Sequence, residues 1–386
     1  MRRDEIGRIG FFFALPFHKP ILGPVRDAIL GHETMLSGVR DELLRFEPDV
    51  LVLADSADLE FFRRRLPRTW LGSVRHGMIG KRGPERLPSR EQARRFDFLC
   101  VDEGFWPDQY KRANAEPGAY WFTGYPQLDP LFRRDPPVDL GLDPELPTVL
   151  YAPTWNLGLS SAPLIGARLL ELVRGDGPPL NLVIKPHPAI AMRRPNWLRW
   201  WRQMARDDSH VRLIADVTAA MLAADLMISD ASSVIFEFLA LDRPIVLVTN
   251  PRHRHDPAYD PRDIVWRWRD LGDEVTDPAS LASVVATALA DPGRHASKRA
   301  AYAQQLFGPH TDGQNHVRVA ATLAELARSG PRPADAFASS PSRSPSARFT
   351  LWRRDIRVRV SRNEPTARTL LAWTETSRLY LRAARG

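Results

Sequence analysis

The sequence predicts an α/β protein made of two doubly wound parallel sheets in succession. Three observations carry that expectation. Short, continuously apolar runs alternate with helix-type segments, the pattern of strands buried on both faces. The alternation halts at a proline-rich stretch and then restarts. The 386 residues also exceed what one hydrophobic core normally organises.

In the first domain, residues 1–135, the candidate strands are 9–14, 50–53, 70–74, 96–101 and 120–123, with helical segments at 38–46, 58–64 and 104–112. Pro136, Pro137, Pro144 and Pro147 then mark a connector. In the second domain, residues 136–330, the strands are 148–151, 182–184, 211–214, 226–228 and 245–248. Helices at 278–290, 294–306 and 315–327 close it, the first opened by Asp277-Pro278. Two such domains facing each other put ligands at the carboxyl ends of their strands. Residues 331–348, rich in Pro, Ser and Ala, read as a flexible linker before a basic tail, 349–386.

The formal charge of +8 is unevenly placed. Residues 331–386 hold 12 arginines against Asp335, Asp355, Glu364 and Glu375, which leaves residues 1–330 neutral. A neutral body argues against nucleic acid as a partner. The tail also carries Trp352, Trp373 and Tyr380, and arginines interleaved with aromatics suit an anionic membrane surface. No apolar run approaches the roughly 20 residues of a membrane span. Asp4 and Glu5, directly after Arg2-Arg3, make a poor secretory signal, so the expected location is the cytoplasm. The single cysteine, Cys100, excludes an internal disulfide and reads as a core thiol.

Neither GxGxxG nor GxxxxGK[ST] occurs, and no HExxH or CxxC metal signature is present. His253 and His255 lie in an arginine-rich loop and read as solvated; neither a metal nor a cofactor is expected. The most informative segment is Leu226 to Glu237. A buried strand runs through Ser229-Asp230-Ala231-Ser232-Ser233 into a helix, a natural seat for phosphate. Capping would explain one serine but not Glu237, a lone carboxylate in an apolar helix, which ribose hydroxyls would satisfy. A second strand ends in Lys185-Pro186-His187-Pro188, whose prolines fix the histidine backbone. A third ends in Arg75-His76-Gly77, with Lys81 beyond, where glycine permits close approach and the cations suit phosphate. Both histidines at one cleft would serve acid–base chemistry on a phosphoryl group. Tyr151-Ala152-Pro153-Thr154-Trp155 ends a further strand, and Asp312-Gly313 reads as a helix cap.

In order and spacing, these motifs together with Arg243-Pro244 resemble the CDP-glycerol glycerophosphotransferases of teichoic acid synthesis over residues 70–325. The resemblance implies two Rossmann-like domains in a GT-B arrangement. It implies transfer of glycerol phosphate, or a related polyol phosphate, from a CDP-linked donor to a lipid-linked or polymeric glycan acceptor, with release of CMP. His76 would be the general base and His187 the second essential histidine. Thr154, Lys185, Ser229, Asp230, Ser232, Ser233 and Glu237 would bind the donor, and Arg75, Gly77 and Lys81 would contact acceptor or phosphate. It also implies a peripheral place on the inner face of the cell membrane. The sequence departs from the family pattern at Arg75, where an aromatic residue is usual, and at Asn156, where arginine is frequent. A GT-B glycosyltransferase or 2-epimerase acting on a nucleotide sugar, and a non-catalytic nucleotide-binding relative, are the alternatives.

Overall fold

A computed structural model of the chain describes residues 6–74 and 94–333, apart from Gly104, Ala113, Ala115 and Asp176. It divides into two compact units: one runs to Asp129 and resumes at Gln305, and the other comprises Pro130–Gln304.

The first unit has a six-stranded sheet of β1 (Arg8–Phe12), β2 (Glu33–Ser37), β3 (Val50–Leu53), β4 (Trp70–Val74), β5 (Phe98–Val101) and β6 (Tyr120–Phe122), in the order β2-β1-β3-β4-β5-β6. All its pairs are parallel, with Ile9 opposite Val50 and Gly72 opposite Phe98. Gly72 is required there: a Cβ would lie 1.9 Å from the Phe98 ring, which is itself stacked on Trp121 at 3.6 Å. Two elements escaped the sequence reading. Strand β2 is an edge strand with only Ser37 fully buried, and Pro20 and Pro24 disguise the helix Lys19–Asp27.

The helix Asn315–Arg328 belongs to this unit, not to the second domain as the sequence suggested. Its apolar stripe of Val319, Ala320, Leu323 and Ala327 packs with Ile9, Phe11, Val50 and Val52. Asp129 fixes its start, accepting from Asn315 N at 3.0 Å, His316 N at 2.8 Å and His316 Nδ1 at 2.7 Å. Helical period alone says which face is apolar but not which sheet it covers.

The expected linker also starts too early. Arg332 is 4% exposed; its backbone N–H donates to Arg68 O at 2.8 Å and its Nε to Asp97 Oδ1 at 2.9 Å. Asp97 further accepts from Arg63 Nη2 at 2.7 Å and Leu71 N at 2.8 Å. The tail, 349–386, lies outside the described residues.

The second unit has β7 (Thr148–Ala152), β8 (Asn181–Ile184), β9 (Val211–Leu213), β10 (Leu226–Ser229), β11 (Ile245–Val248) and β12 (Asp273–Val275), all parallel, in the order β12-β11-β10-β7-β8-β9. From β9 inward this is the 3-2-1-4-5-6 order of a doubly wound sheet, and its switch point lies between β7 and β10. Ile165 and Leu169 of one helix, Trp201 of another and Leu281 and Val285 of a third cover the sheet. The short edge strand β12 was the one strand of this unit not anticipated.

Candidate functional site

The switch point is where the chain buries polar groups. Asp230, 1% exposed, follows β10 and faces the loop after β7. Its Oδ1 accepts from Thr154 N at 2.8 Å and Ala231 N at 2.6 Å. Its Oδ2 accepts from Ser161 N and Ser161 Oγ, both at 2.8 Å. A carboxylate offers about four acceptor positions, and all are filled. Because the Ser161 hydroxyl proton goes to Asp230, Tyr151 is the donor in its 2.9 Å contact with Ser161 Oγ. Burial, with the Asp230 charge behind it, holds the Tyr151 phenol well above its ordinary range, so it keeps the proton it donates. Ser229 Oγ donates to Ala152 O at 2.7 Å. Ser229 and Asp230 therefore join the ends of β7 and β10. The carboxylate of Asp230, expected among the donor-binding residues, thus has its acceptor positions taken by the chain's own donors.

The same loop is tied from its other side. Asn250 Nδ2 donates to Ser160 O at 2.8 Å and Leu157 O at 3.2 Å. Arg269 Nη1 donates to Asp230 O at 2.8 Å and its Nη2 to Thr249 Oγ1 at 2.6 Å, while Glu274 pairs with it at 3.2 Å. Sequence reasoning missed Tyr151 as a polar group, and missed Ser161, Asn250 and Arg269 altogether. The only signal was the adjacent Ser160-Ser161 pair after the Pro-Thr-Trp segment.

Lys185 and Glu237 are brought into each other's field. Lys185 extends β8, its N–H donating to Tyr151 O at 2.9 Å, and it is 9% exposed. Burial lowers its pKa, and the charges of Glu237 and then Asp216 partly restore it. Glu237 is buried in the helix Val234–Phe238. Ser232 is buried and Ser233 half-buried; Ser233 makes no side-chain cap bond, so simple capping does not account for it.

His187 Nδ1 accepts from Ala189 N at 3.1 Å, which assigns the proton of the neutral ring to Nε2. The Trp155 ring lies 6.4 Å from the imidazole, and the Arg193 guanidinium sits 4.4 Å over that indole. Thus Thr154, Lys185, Ser229, Asp230, Ser232, Ser233 and Glu237 gather at the carboxyl ends of β7, β8 and β10, with His187 beside them. Arg75, His76, Gly77 and Lys81 lie outside the described residues, directly after β4.

His253 stacks on Trp266 at 4.7 Å, and no group of three metal-ligating side chains occurs among the described residues. Asp312 accepts from Gln314 N at 3.1 Å and pairs with Arg318 ahead of its helix, as a cap would.

Residues 74–325 match the family model described as CDP-Glycerol:Poly(glycerophosphate) glycerophosphotransferase. The chain is 28% identical over 165 residues to the teichoic acid glycerol-phosphate primase of Bacillus spizizenii, covering 40% of each protein. It is 24% identical over 168 residues to the teichoic acid poly(glycerol phosphate) polymerase of the same organism, covering 40% of this chain and 41% of the other. The chain thus spans about 40% of the length of the curated relatives it matches. Among solved structures, the wall teichoic acid polymerase TagF, soaked with CDPG, is similar with a TM-score of 0.61 at 16% identity, covering 84% of this chain and 89% of that one. The UDP-GlcNAc 2-epimerase of Neisseria meningitidis gives 0.52 at 13% identity, covering 82% and 100%. These structural likenesses are of fold.

Proposed function

The chain belongs to the CDP-glycerol:poly(glycerophosphate) glycerophosphotransferase family, and from that premise we propose that it moves glycerol phosphate from CDP-glycerol to a hydroxyl of a lipid-linked or polymeric glycan acceptor, releasing CMP. The observation that carries the reading is the switch point of the second unit. There a buried lysine and a buried carboxylate share a field beside two serines and a histidine, above a loop locked by Asp230.

In this reading Glu237 accepts from the ribose hydroxyls, and Lys185, Ser232 and Ser233 meet the phosphates. The acceptor oxygen attacks the phosphorus bearing glycerol. The bond from that phosphorus to the bridging oxygen breaks, and CMP leaves with the electron pair. His76 takes the acceptor proton, and His187 Nε2–H donates to the diphosphate. Positioning and electrostatics supply most of the rate. The tail, 349–386, is read as the segment that meets an anionic membrane surface.

The test is CMP release from CDP-glycerol with a soluble glycan-linked primer. Wild-type protein should release CMP, with His76→Ala and His187→Ala each slower by about 10²–10⁴-fold. Wild-type rates in both variants would overturn the roles assigned. Turnover of a UDP-sugar in place of CDP-glycerol would move the reading to a nucleotide-sugar enzyme.

A further inference from the structure

We infer that Arg193 binds the distal phosphate of the donor, the one carrying the transferred group, and that Trp155 positions it. The inference rests on the donor reading given above and concerns a residue that reading does not use.

A diphosphate brings two negative charges to the carboxyl ends of β7, β8 and β10, so the available cations matter. Lys185 is buried and already shares the field of Glu237 and Asp216. Arg269 is committed to Asp230 O, Thr249 and Glu274. Arg193 has no carboxylate within 4.0 Å among the described residues and is exposed. Its guanidinium presents a planar fork that matches phosphate oxygens.

The guanidinium is also held. It lies 4.4 Å over the Trp155 ring, and that ring packs against the core of the second unit. Thr154, the preceding residue, is fixed through its N–H to Asp230. At the other end, Arg193 closes the short helix Ile190–Arg193, whose first residue is fully buried and donates its N–H to His187 O at 2.9 Å. An arginine stacked on an aromatic face keeps its N–H groups available in the guanidinium plane.

Sheet order gives the direction. Glu237, which would take the ribose, follows β10. His187 and Arg193 follow β8, on the far side of β7. A donor lying across the strand ends with its ribose at Glu237 therefore presents its outer phosphate to Arg193 and His187.

Calorimetric titration of the full chain with CMP and with CDP tests this. Arg193→Ala should weaken CDP by about tenfold or more while leaving CMP within about twofold. Arg193→Lys should fall between, keeping the charge without the fork, and Trp155→Leu should resemble Arg193→Ala while Trp155→Phe restores most of the affinity. Retained CMP binding serves as the control for folding. Equal weakening of CMP and CDP by Arg193→Ala, or no change in either, would overturn the inference while leaving the donor reading intact. Wild-type protein that binds neither ligand would overturn the donor reading, and this inference with it.

Discussion

Asp97 in the first unit and Asp230 in the second are both buried beside a strand end, but they are neutralised in different ways. Asp97 stands at the amino end of β5 between two guanidinium groups, Arg63 at 2.7 Å and Arg332 at 2.9 Å. Asp230 stands at the carboxyl end of β10 and receives only N–H and O–H donors on its carboxylate, all from Thr154, Ala231 and Ser161. Ion pairing needs only that charges meet, so it can fasten distant parts of a chain. Dipolar satisfaction needs several backbone groups in register and so shapes a loop. Ligands of doubly wound sheets bind at carboxyl ends. There, a carboxylate whose charge is spread over four donors can organise the loop without being left bare before a phosphate.

The contrast can be broken most sharply at Asp97. Asp97→Ala would leave the buried guanidinium of Arg332 unpaired beside the half-buried one of Arg63, and stability should fall by about 3–5 kcal/mol in denaturant titration. A loss of under about 1 kcal/mol would mean the pair is solvated and the contrast empty. At Asp230 the expected stability loss is smaller, about 1–3 kcal/mol for Asp230→Asn, because one acceptor oxygen becomes a donor facing donors. Its distinguishing effect is on turnover. At a temperature where the variant remains folded, CMP release from CDP-glycerol should fall at least about tenfold, since the loop carrying Thr154 and Trp155 loses its anchor. Unchanged turnover would reduce Asp230 to a structural group like Asp97.

Asp312 supplies the smallest effect and the exposed control. Its hydrogen bond from Arg318 pushes the carboxyl down to about 2. The folded value lies below the unfolded one, near 3.9. The stabilisation is therefore complete above about pH 4 and lost as the pH falls toward about 2. Solvent screening of this half-exposed pair should keep it under about 1 kcal/mol. The stability gap between wild type and Asp312→Asn should close between pH 5 and pH 2.5; a constant gap would remove the ion pair from the account.

Continuous apolar runs made the inner strands legible: 50–53, 70–74 and 245–248 coincide with β3, β4 and β11. What escaped was what lacks local pattern. The edge strands β2 and β12 are too exposed to alternate cleanly, and a helix with two prolines in its first six residues reads as a turn. At the site, sequence picked out the side chains that end strands, because a polar residue after an apolar run is conspicuous. It did not show that Ser161 and Thr154 turn their N–H groups toward Asp230, since nothing in the spacing tells it. Arg193 was invisible for the same reason: its place over Trp155 is a tertiary fact.

Arg332, finally, fastens the end of the described chain to the first unit. Its guanidinium on Asp97, its backbone on Arg68 and the Trp70 indole N–H on Gly330 O at 3.1 Å form a cleat at the amino ends of β4 and β5. Tension applied at Pro333 would have to break these bonds before it could peel the helix Asn315–Arg328 from the sheet. A protein shortened at residue 330 would lose the cleat along with the tail, so the two have to be separated by cutting after Pro333.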